Sequence, residues 1–330
     1  MNNIEIMTER SYQHWPSWDV VYEWEDVMAE ELDSDLVDLH RGSLGQVSRI
    51  IRKSFRKLNL APNKFICHGR KYKLAWIMDA RIYKEYTYHN IIPIFLDFGL
   101  NMVDEIVNAT NNLPFYWVTS FAIYKELRKK TNRVHYLPIT VADKWIKKIV
   151  PQKQIDVIQF GRKNDILHKY MLNYCKAHPD IEYIYQTGDG TLTYTSSTRG
   201  IIGKFETRDS YMDMIAKSKI SLVSTPGIDK SKDFGGIDFF TPRFYESAAH
   251  YCHLIGRFPD NEEAEYIGIN EVCSNIDSEK EFIDTVDYML QQSNRDNLYK
   301  YEHFLKENRT SNRLKEMKII LENVSDNMTI

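Results

Sequence analysis

The chain has 330 residues, of which 43% are hydrophobic and 13% aromatic, and a formal net charge of −3. Such a length suits about two domains, and such a composition fills packed cores, which excludes a disordered chain. A near-neutral balance without base-stacking or groove-reading motifs also excludes a dedicated nucleic-acid binder.

The four cysteines, Cys67, Cys175, Cys252 and Cys273, are widely spaced and form no CxxC pair, which argues against a zinc site or a disulfide framework. The first residues lack a basic segment followed by an apolar run, and no window approaches the roughly 18 apolar residues of a membrane span. The expected compartment is the cytoplasm. Charge is nevertheless unevenly placed: residues 1–40 hold 11 acids and one arginine, and residues 41–90 hold 12 Lys/Arg against Asp79 and Glu85.

In chain order, the first half offers strand candidates at Ile4–Met7, Leu36–Leu39, Lys64–Cys67, Leu74–Met78, Ile92–Leu96, Phe115–Val118 and Val134–Tyr136. Helical patterns at Asp19–Glu31 and Phe121–Lys130 fall between some of them. Residues 48–58 interleave Arg49, Arg52, Lys53, Arg56 and Lys57 with Ile50, Ile51, Phe55 and Leu58, a basic amphipathic helix. It suits either the solvated face of an ordinary α/β helix or peripheral contact with anionic lipid at the inner face of a membrane.

The second half repeats the alternation. Strands are expected at Val157–Phe160, Ile181–Tyr185, Ile201–Lys204, Ile220–Val223, His253–Ile255 and Val272–Ser274, and helices at Asp165–His178, Ser210–Lys217, Phe244–Tyr251 and Glu279–Gln292. Alternating strands and helices imply parallel sheets. We therefore expect an α/β protein with two Rossmann-like domains, residues 1–145 and 146–305, followed by a helical tail at 306–330.

The most informative stretch is the strand Ile220–Val223, the loop Ser224–Phe240 with its Gly235-Gly236 pair, and then Thr241-Pro242-Arg243-Phe244-Tyr245-Glu246-Ser247-Ala248. Strand, glycine loop and helix N-terminus place free backbone N–H groups and a carboxylate at the C-terminal edge of a strand. Such an edge can hold a phosphate through N–H groups and a ribose hydroxyl pair through Glu246.

This region resembles the C-terminal half of nucleotide-sugar-dependent glycosyltransferases of the GT-B fold, specifically the spore-maturation CgeB-like and glycosyl transferases group 1 families. Those families carry an Arg-x-Phe-Glu-Ala-like string, a small-residue helix and a strand; Arg243 to Ala248 and His253-Leu254-Ile255-Gly256 stand in those places, with the aromatic shifted by one. The larger family's paired acids, eight positions apart, fall on Asp238 and Glu246. The resemblance implies that Glu246 binds the donor ribose and that Asp238, or the Gly235-Gly236 backbone, lies near the donor sugar. It also implies two Rossmann-like domains facing across a cleft, with the C-terminal helix crossing back onto the first.

Phe160-Gly161-Arg162-Lys163 matches the family's Gly-Arg turn, whose arginine faces the donor diphosphate. A cation is wanted there because the leaving diphosphate gains charge as the glycosidic bond breaks. The lysine usual five positions later is replaced by Leu167, which leaves Lys163, Lys169 or Arg243 to serve. Donor binding is thus expected from Glu246, Gly161, Gly235, Gly236, Tyr245 and Lys163, and catalysis from Arg162, Arg243, Asp238 and Asp79. Asp79 and Arg81 follow an apolar run, and His40 and Arg41 follow another, so all four are expected at the ligand-binding edge of the first sheet, on the acceptor side.

Asp33-Ser34-Asp35 fits a metal-binding DxD formally but lies in an acidic stretch before a strand, and no metal or other cofactor is expected. Thr187-Gly188-Asp189-Gly190 lacks phosphate-loop spacing and reads as a turn between strands. The expected activity is transfer of a sugar from a nucleotide diphosphate to a saccharide, lipid-linked or protein acceptor, with retention of configuration, in surface polysaccharide or glycoconjugate synthesis. A nucleotide-sugar epimerase and a non-catalytic GT-B-like binding subunit are the alternatives.

Overall fold

A computed structural model describes residues 4–11, 13–14, 16–38, 72–78, 91–111, 113–188, 191–229 and 238–327, with side chains described to residue 323. His40, Arg41, Asp79, Arg81, Gly235 and Gly236, the basic segment 48–58 and the Lys64–Cys67 strand lie outside the described residues. The chain divides into two compact units. One holds the described residues up to Ile139 and those from Thr310 onward; the other holds those between Thr140 and Arg309. These divisions fall at Ile139/Thr140 and Arg309/Thr310 rather than after 145 and 305. The reason is local: Val141 bridges Arg309, and the Lys147 N–H bonds the Ala249 carbonyl at 3.1 Å, tying 140–147 to the second unit.

The first unit is a parallel sheet in the order β2-β1-β3-β4-β5-β6, made of β1 (Ile4–Thr8), β2 (Asp35–Asp38), β3 (Tyr72–Ile77), β4 (Ile91–Phe95), β5 (Tyr116–Val118) and β6 (Val134–Tyr136). Strand β4 is buried along its whole length, as a central parallel strand covered on both faces must be. Helix α1 (Asp19–Glu31) lays Trp24 and Met28 on the sheet beside Ile4, Ile6, Leu74 and Trp76, and Leu314, Met317 and Leu321 of the last helix (Thr310–Asn327) join the same core. Helices α2 (Val103–Ala109) and α3 (Phe121–Arg128) also belong to the unit, α3 capped by Ser120. The short α2 was not expected from the sequence pattern.

The second unit has the order β10-β9-β8-β7-β11-β12-β13. Its strands are β7 (Ile155–Gln159), β8 (Tyr183–Gln186), β9 (Thr193–Ser196), β10 (Gly200–Lys204), β11 (Ser218–Ser224), β12 (His253–Arg257) and β13 (Cys273–Asn275). Five are parallel, but β9 pairs antiparallel with both β8 and β10, which corrects the expectation of a parallel ladder throughout. Short connections account for the change. Thr187 to Leu192 and Ser197 to Arg199 are too few residues for a crossover helix, and Gly200 takes φ +73° at the second turn.

Helices α4 (Asp165–Ala177) and α8 (Glu279–Gln291) cover one face of this sheet through Leu167, Met171, Phe282 and Val286. Among the described residues the remaining α-helices of this unit are α5 (Arg208–Lys217), α6 (Pro242–Ala249), α7 (Glu262–Ile267) and α9 (Leu298–Asn308). Helix α6 contacts α5 and α9, and is tied to β11 by the Ser221–Ser247 hydroxyl pair at 2.7 Å. The last helix of the chain, in the first unit, is α10 (Thr310–Asn327). Among the described residues no helix is long and apolar enough to cross a membrane.

Candidate functional site

The C-terminal edge of the second parallel sheet gathers the turns after β7, β11 and β12. Asn164 caps α4 by accepting the N–H groups of Ile166 and Leu167, and its amide donates to Asp229 Oδ2 at 2.5 Å. Arg257, the last residue of β12, donates to both Asp229 oxygens at 3.0 and 2.8 Å. This forked pair pushes the Arg257 guanidinium further up and pins the loop after β11 to its neighbours.

Asp238 closes the other end of that loop. Its oxygens accept the Gly227 N–H at 2.8 Å and the Thr225 hydroxyl at 2.7 Å. Burial raises the Asp238 carboxyl above its ordinary value, against the pull of those bonds. The acid predicted beside the donor sugar therefore works in this structure as a loop tie, half-buried at the edge.

Gly161 follows β7 in the left-handed region at φ +59°, which favours glycine. A Cβ there would also lie 2.7 Å from Arg243 Nη2 and 3.1 Å from its Cζ, so that guanidinium would have to shift. The guanidinium of Arg243 thus lies against the Gly161 turn. Arg243 is the second residue of α6, after N-cap Thr241 and Pro242, and among the described residues it has neither a hydrogen bond nor an ion pair. The Thr241 hydroxyl at the same helix start is buried and without a hydrogen-bond partner among the described residues. A cation without a countercharge, first-turn N–H groups and an unused hydroxyl converge where a strand ends.

One turn further along α6 lies Glu246. Its Oε1 is 2.7 Å from Arg208 Nη2, with the two side chains 2% and 13% exposed. That contact is not aligned as a hydrogen bond, so Oε1 is ion-paired yet has no hydrogen-bond donor among the described residues. Its Oε2 accepts the Tyr211 hydroxyl at 3.3 Å. Burial pushes the Tyr211 phenol well up, so it acts as a neutral donor. Tyr211 packs 4.2 Å from Phe160, and the Tyr194 hydroxyl accepts the Gly161 N–H at 3.3 Å, so both tyrosines brace the turn that carries Arg243. His250 bonds the Glu246 carbonyl through Nδ1 at 2.8 Å, and burial pushes its imidazole down to about 4.

The structure therefore brings together Gly161, Arg243 and Glu246, with Arg162 exposed on the same turn. Two predicted donor residues lie elsewhere. The Tyr245 ring is fully buried and stacked 5.7 Å from Phe304, which makes it core rather than site. Lys163 donates to the Gln186 carbonyl at 2.8 Å and lies over the Tyr185 ring, so its charge serves β8. Leu167 is fully buried, which explains why no lysine stands there. Arg208, absent from the residues expected at the site, enters the cluster because α5 begins two residues earlier than its pattern suggests, where Thr207 accepts the Ser210 N–H and Ser210 bonds back. That Thr-x-x-Ser pattern was legible as a helix start.

Asp33 and Asp35 flank a turn between α1 and β2, and among the described residues no group of three or more His, Cys, Asp or Glu is arranged to hold a metal ion. A groove of about 490 Å³ at the opposite edge of the second sheet is lined by Lys153, Lys219 and Arg295 among others. Its two lysines are already bonded to the carbonyls of Ala216, His250 and Leu290.

No protein-family model matches the chain, and no curated protein matches it in sequence. Solved structures do match it in shape. The N-terminal domain of trehalose-6-phosphate phosphatase from Candida albicans aligns at a TM-score of 0.55 and 9% identity, over 98% of this chain and 96% of that one. A point mutant of S. aureus TarM, in complex with fondaparinux, alpha-GlcNAc-glycerol and UDP, aligns at 0.51 and 8% identity, over 74% of this chain and 54% of that one. The BGT of T4 phage, in complex with UDP and Mn2+, aligns at 0.50 and 11% identity, over 96% and 98%. These likenesses are of fold, and the fold is mixed α/β with two parallel-sheet, Rossmann-like domains of the GT-B kind.

Proposed function

We propose that this protein is a glycosyltransferase that takes its sugar from a nucleotide diphosphate sugar. The observation that carries the reading is Arg243, whose guanidinium rests on the side-chain-free Gly161 turn with no anion beside it among the described residues. A diphosphate laid over that turn would meet Arg243, the α6 N-terminus and the Thr241 hydroxyl together. Arg162 on the same turn would add a second guanidinium, and the arginines would supply the countercharge with no metal.

One helical turn from Arg243, Glu246 would accept the ribose hydroxyls, a spacing of about 5–6 Å that suits a phosphate and its ribose. As the bond between the sugar C1 and the diphosphate oxygen breaks, a new bond forms from the acceptor hydroxyl oxygen to C1. In a retaining reaction the acceptor proton passes to the departing phosphate oxygen, and the arginines stabilise the charge that remains there. Two of the solved structures of like fold hold UDP, which is why uracil leads the list of bases to try. The acceptor is a saccharide, lipid-linked or protein hydroxyl, and a place in surface polysaccharide synthesis at the cytoplasmic side of a membrane is in keeping with it.

Calorimetric titration with UDP, GDP, ADP and CMP tests the reading. One nucleoside diphosphate should bind, CMP should bind far more weakly, and Arg243→Met should weaken the diphosphate at least about tenfold by removing a charge-assisted contact. If none of the four binds, the donor site is not where the structure suggests and the transferase reading fails.

A further inference from the structure

The groove at the opposite edge of the second sheet has no part in the donor site. Ile155 begins β7 and Lys219 is the second residue of β11, so its lining stands where strands start. The five residues of β7, roughly 17 Å at about 3.3 Å per residue, separate it from the Gly161 turn. Its charge is positive. Lys153, Lys219 and Arg295 stand against one carboxylate of the lining, Asp156, which already accepts the Glu182 N–H at 2.9 Å. Bonds to carbonyls hold the two ammonium groups in place without cancelling their charge, and Lys219 spends one of its three donors, on Leu290. The Arg295 guanidinium is exposed and has no hydrogen bond, ion pair or ring contact among the described residues.

Neutral amides stand beside these cations. The side chains of Gln152, Gln154 and Gln292 make no hydrogen bond among the described residues. Asn294, 6% exposed, commits its amide nitrogen to the carbonyls of Lys219 and Tyr251 at 2.9 and 2.8 Å, and its Oδ1 is left without a bond. An unpaired acceptor oxygen repels a bare anion and suits a hydroxyl group. His253, the first residue of β12, reports the local field: burial, and then the charges of Lys219 and Lys153, hold its imidazole down to about 4. We propose that this groove is a second binding site, whose ligand is an anionic saccharide, a sugar bearing phosphate or carboxylate. The Arg295 fork and Lys219 would hold the anion, and the amides of Gln154, Gln292 and Asn294 the ring hydroxyls. A volume of about 490 Å³ falls within the roughly 300–1,000 Å³ of small-molecule sites. The inference stands apart from the nucleotide-sugar reading, since the two sites share no side chain.

Calorimetric titration with glucose 1-phosphate, glucuronate, glucose and inorganic phosphate tests it, and the two anionic sugars tell phosphate from carboxylate. At least one of them should bind the wild type about tenfold or more tighter than glucose or inorganic phosphate. Arg295→Met should weaken that sugar at least about tenfold, and Arg295→Lys, which keeps the charge and loses the fork, should recover part of the loss. Gln154→Ala should cost about two- to tenfold, the worth of one hydrogen bond. Arg243→Met should leave the sugar's affinity unchanged, and Arg295→Met should leave that of the nucleoside diphosphate unchanged. Unfolding midpoints of the variants show that the fold has survived. Failure of both anionic sugars to bind overturns the inference, and so does equal affinity for glucose. Inorganic phosphate that binds as tightly as the sugars also overturns it, because the groove then holds an ion only. Binding lost in Arg243→Met and kept in Arg295→Met puts the sugar at the donor edge, and the groove then has no ligand of this class.

Discussion

Gly161→Ala adds one methyl group and removes nothing, which makes it a sharp probe of the Arg243 seat. The added Cβ would lie 2.7 Å from Nη2, 3.1 Å from Cζ and 3.2 Å from Nε, whereas ordinary contacts need 3.4 Å or more. The guanidinium must therefore retreat by roughly 1 Å, and an ångström is enough to misalign a forked hydrogen bond. Left-handed backbone at φ +59° costs alanine about 1–2 kcal/mol more than glycine. Loss of a charge-assisted contact to phosphate costs about 1.5–3 kcal/mol, or roughly 10- to 150-fold in Kd. Chemical unfolding and calorimetry with the preferred nucleoside diphosphate separate the two effects. Stability should fall by about 1–2 kcal/mol while affinity falls more than about tenfold, and Arg243→Met should add little further loss of affinity on top. Wild-type affinity in a folded Gly161→Ala would refute the idea that the anion rests on this guanidinium.

Glu25 of the first unit is buried against Thr8 and Arg10, and burial pushes its carboxyl from 4.5 up to about 7. Raised in the fold, it favours the folded first unit below pH 4.5 and withdraws ~3 kcal/mol as pH climbs through 7; Glu25→Gln should flatten that slope in urea unfolding at about pH 5 and about pH 7.5. His250 and His253 of the second unit work the other way, since burial holds both near 4 against an ordinary 6.5. Their neutral forms stabilise the fold above pH 6.5, and each should withdraw ~3 kcal/mol as pH falls through 4, so a scan that shows no acid destabilisation of the second unit contradicts this account. Leu314→Ala in α10, fully buried in the first core, should cost about 2–5 kcal/mol by calorimetric unfolding. Asp229→Ala strands the Arg257 guanidinium and uncouples the β11 loop, so protease cutting after residue 225 should speed up at least several-fold.

Regular alternation made most of the fold legible. Helix α1 was readable at Asp19–Glu31 because Val21, Trp24 and Met28 repeat at helical spacing. Strand β4, observed at Ile91–Phe95, was readable one residue later, at Ile92–Leu96, because a wholly apolar run must be covered on both sides. The antiparallel edge was not, because the strand Thr193–Ser196 mixes polar and apolar residues, and its local pattern is the same whether a hairpin or a crossover leads into it. Helix α6 carries no glycine at its end: Tyr251 takes the left-handed position at φ +55°, held by its hydroxyl bond to Lys147 O at 2.9 Å. In the site, the order strand, loop, Pro-Arg and Glu was visible in the string. Which side of α6 each residue would face was settled by packing, which sent Tyr245 inward onto Phe304. The partnership of Arg208 with Glu246 joins two helices distant in sequence and rests on two rings, Trp145 and Tyr211, that no local pattern connects.

Charge balance within this cluster explains why its two arginines differ. Arg208 and Arg243 both act on Tyr211, yet among the described residues the cluster shows one carboxylate, Glu246, and that carboxylate pairs with Arg208. Aromatic faces and a buried countercharge hold Arg208, so it can be mostly covered at little electrostatic cost. Arg243 has no such compensation among the described residues, and its guanidinium remains half-buried at the sheet edge, against a glycine that makes room for it. Leaving a cation there uncompensated weakens the ligand-free fold and strengthens the hold on an incoming anion by the same interaction. The two guanidiniums thus differ around α6: one lies at the sheet edge with no countercharge among the described residues, and the other pairs with the acid one turn beyond it.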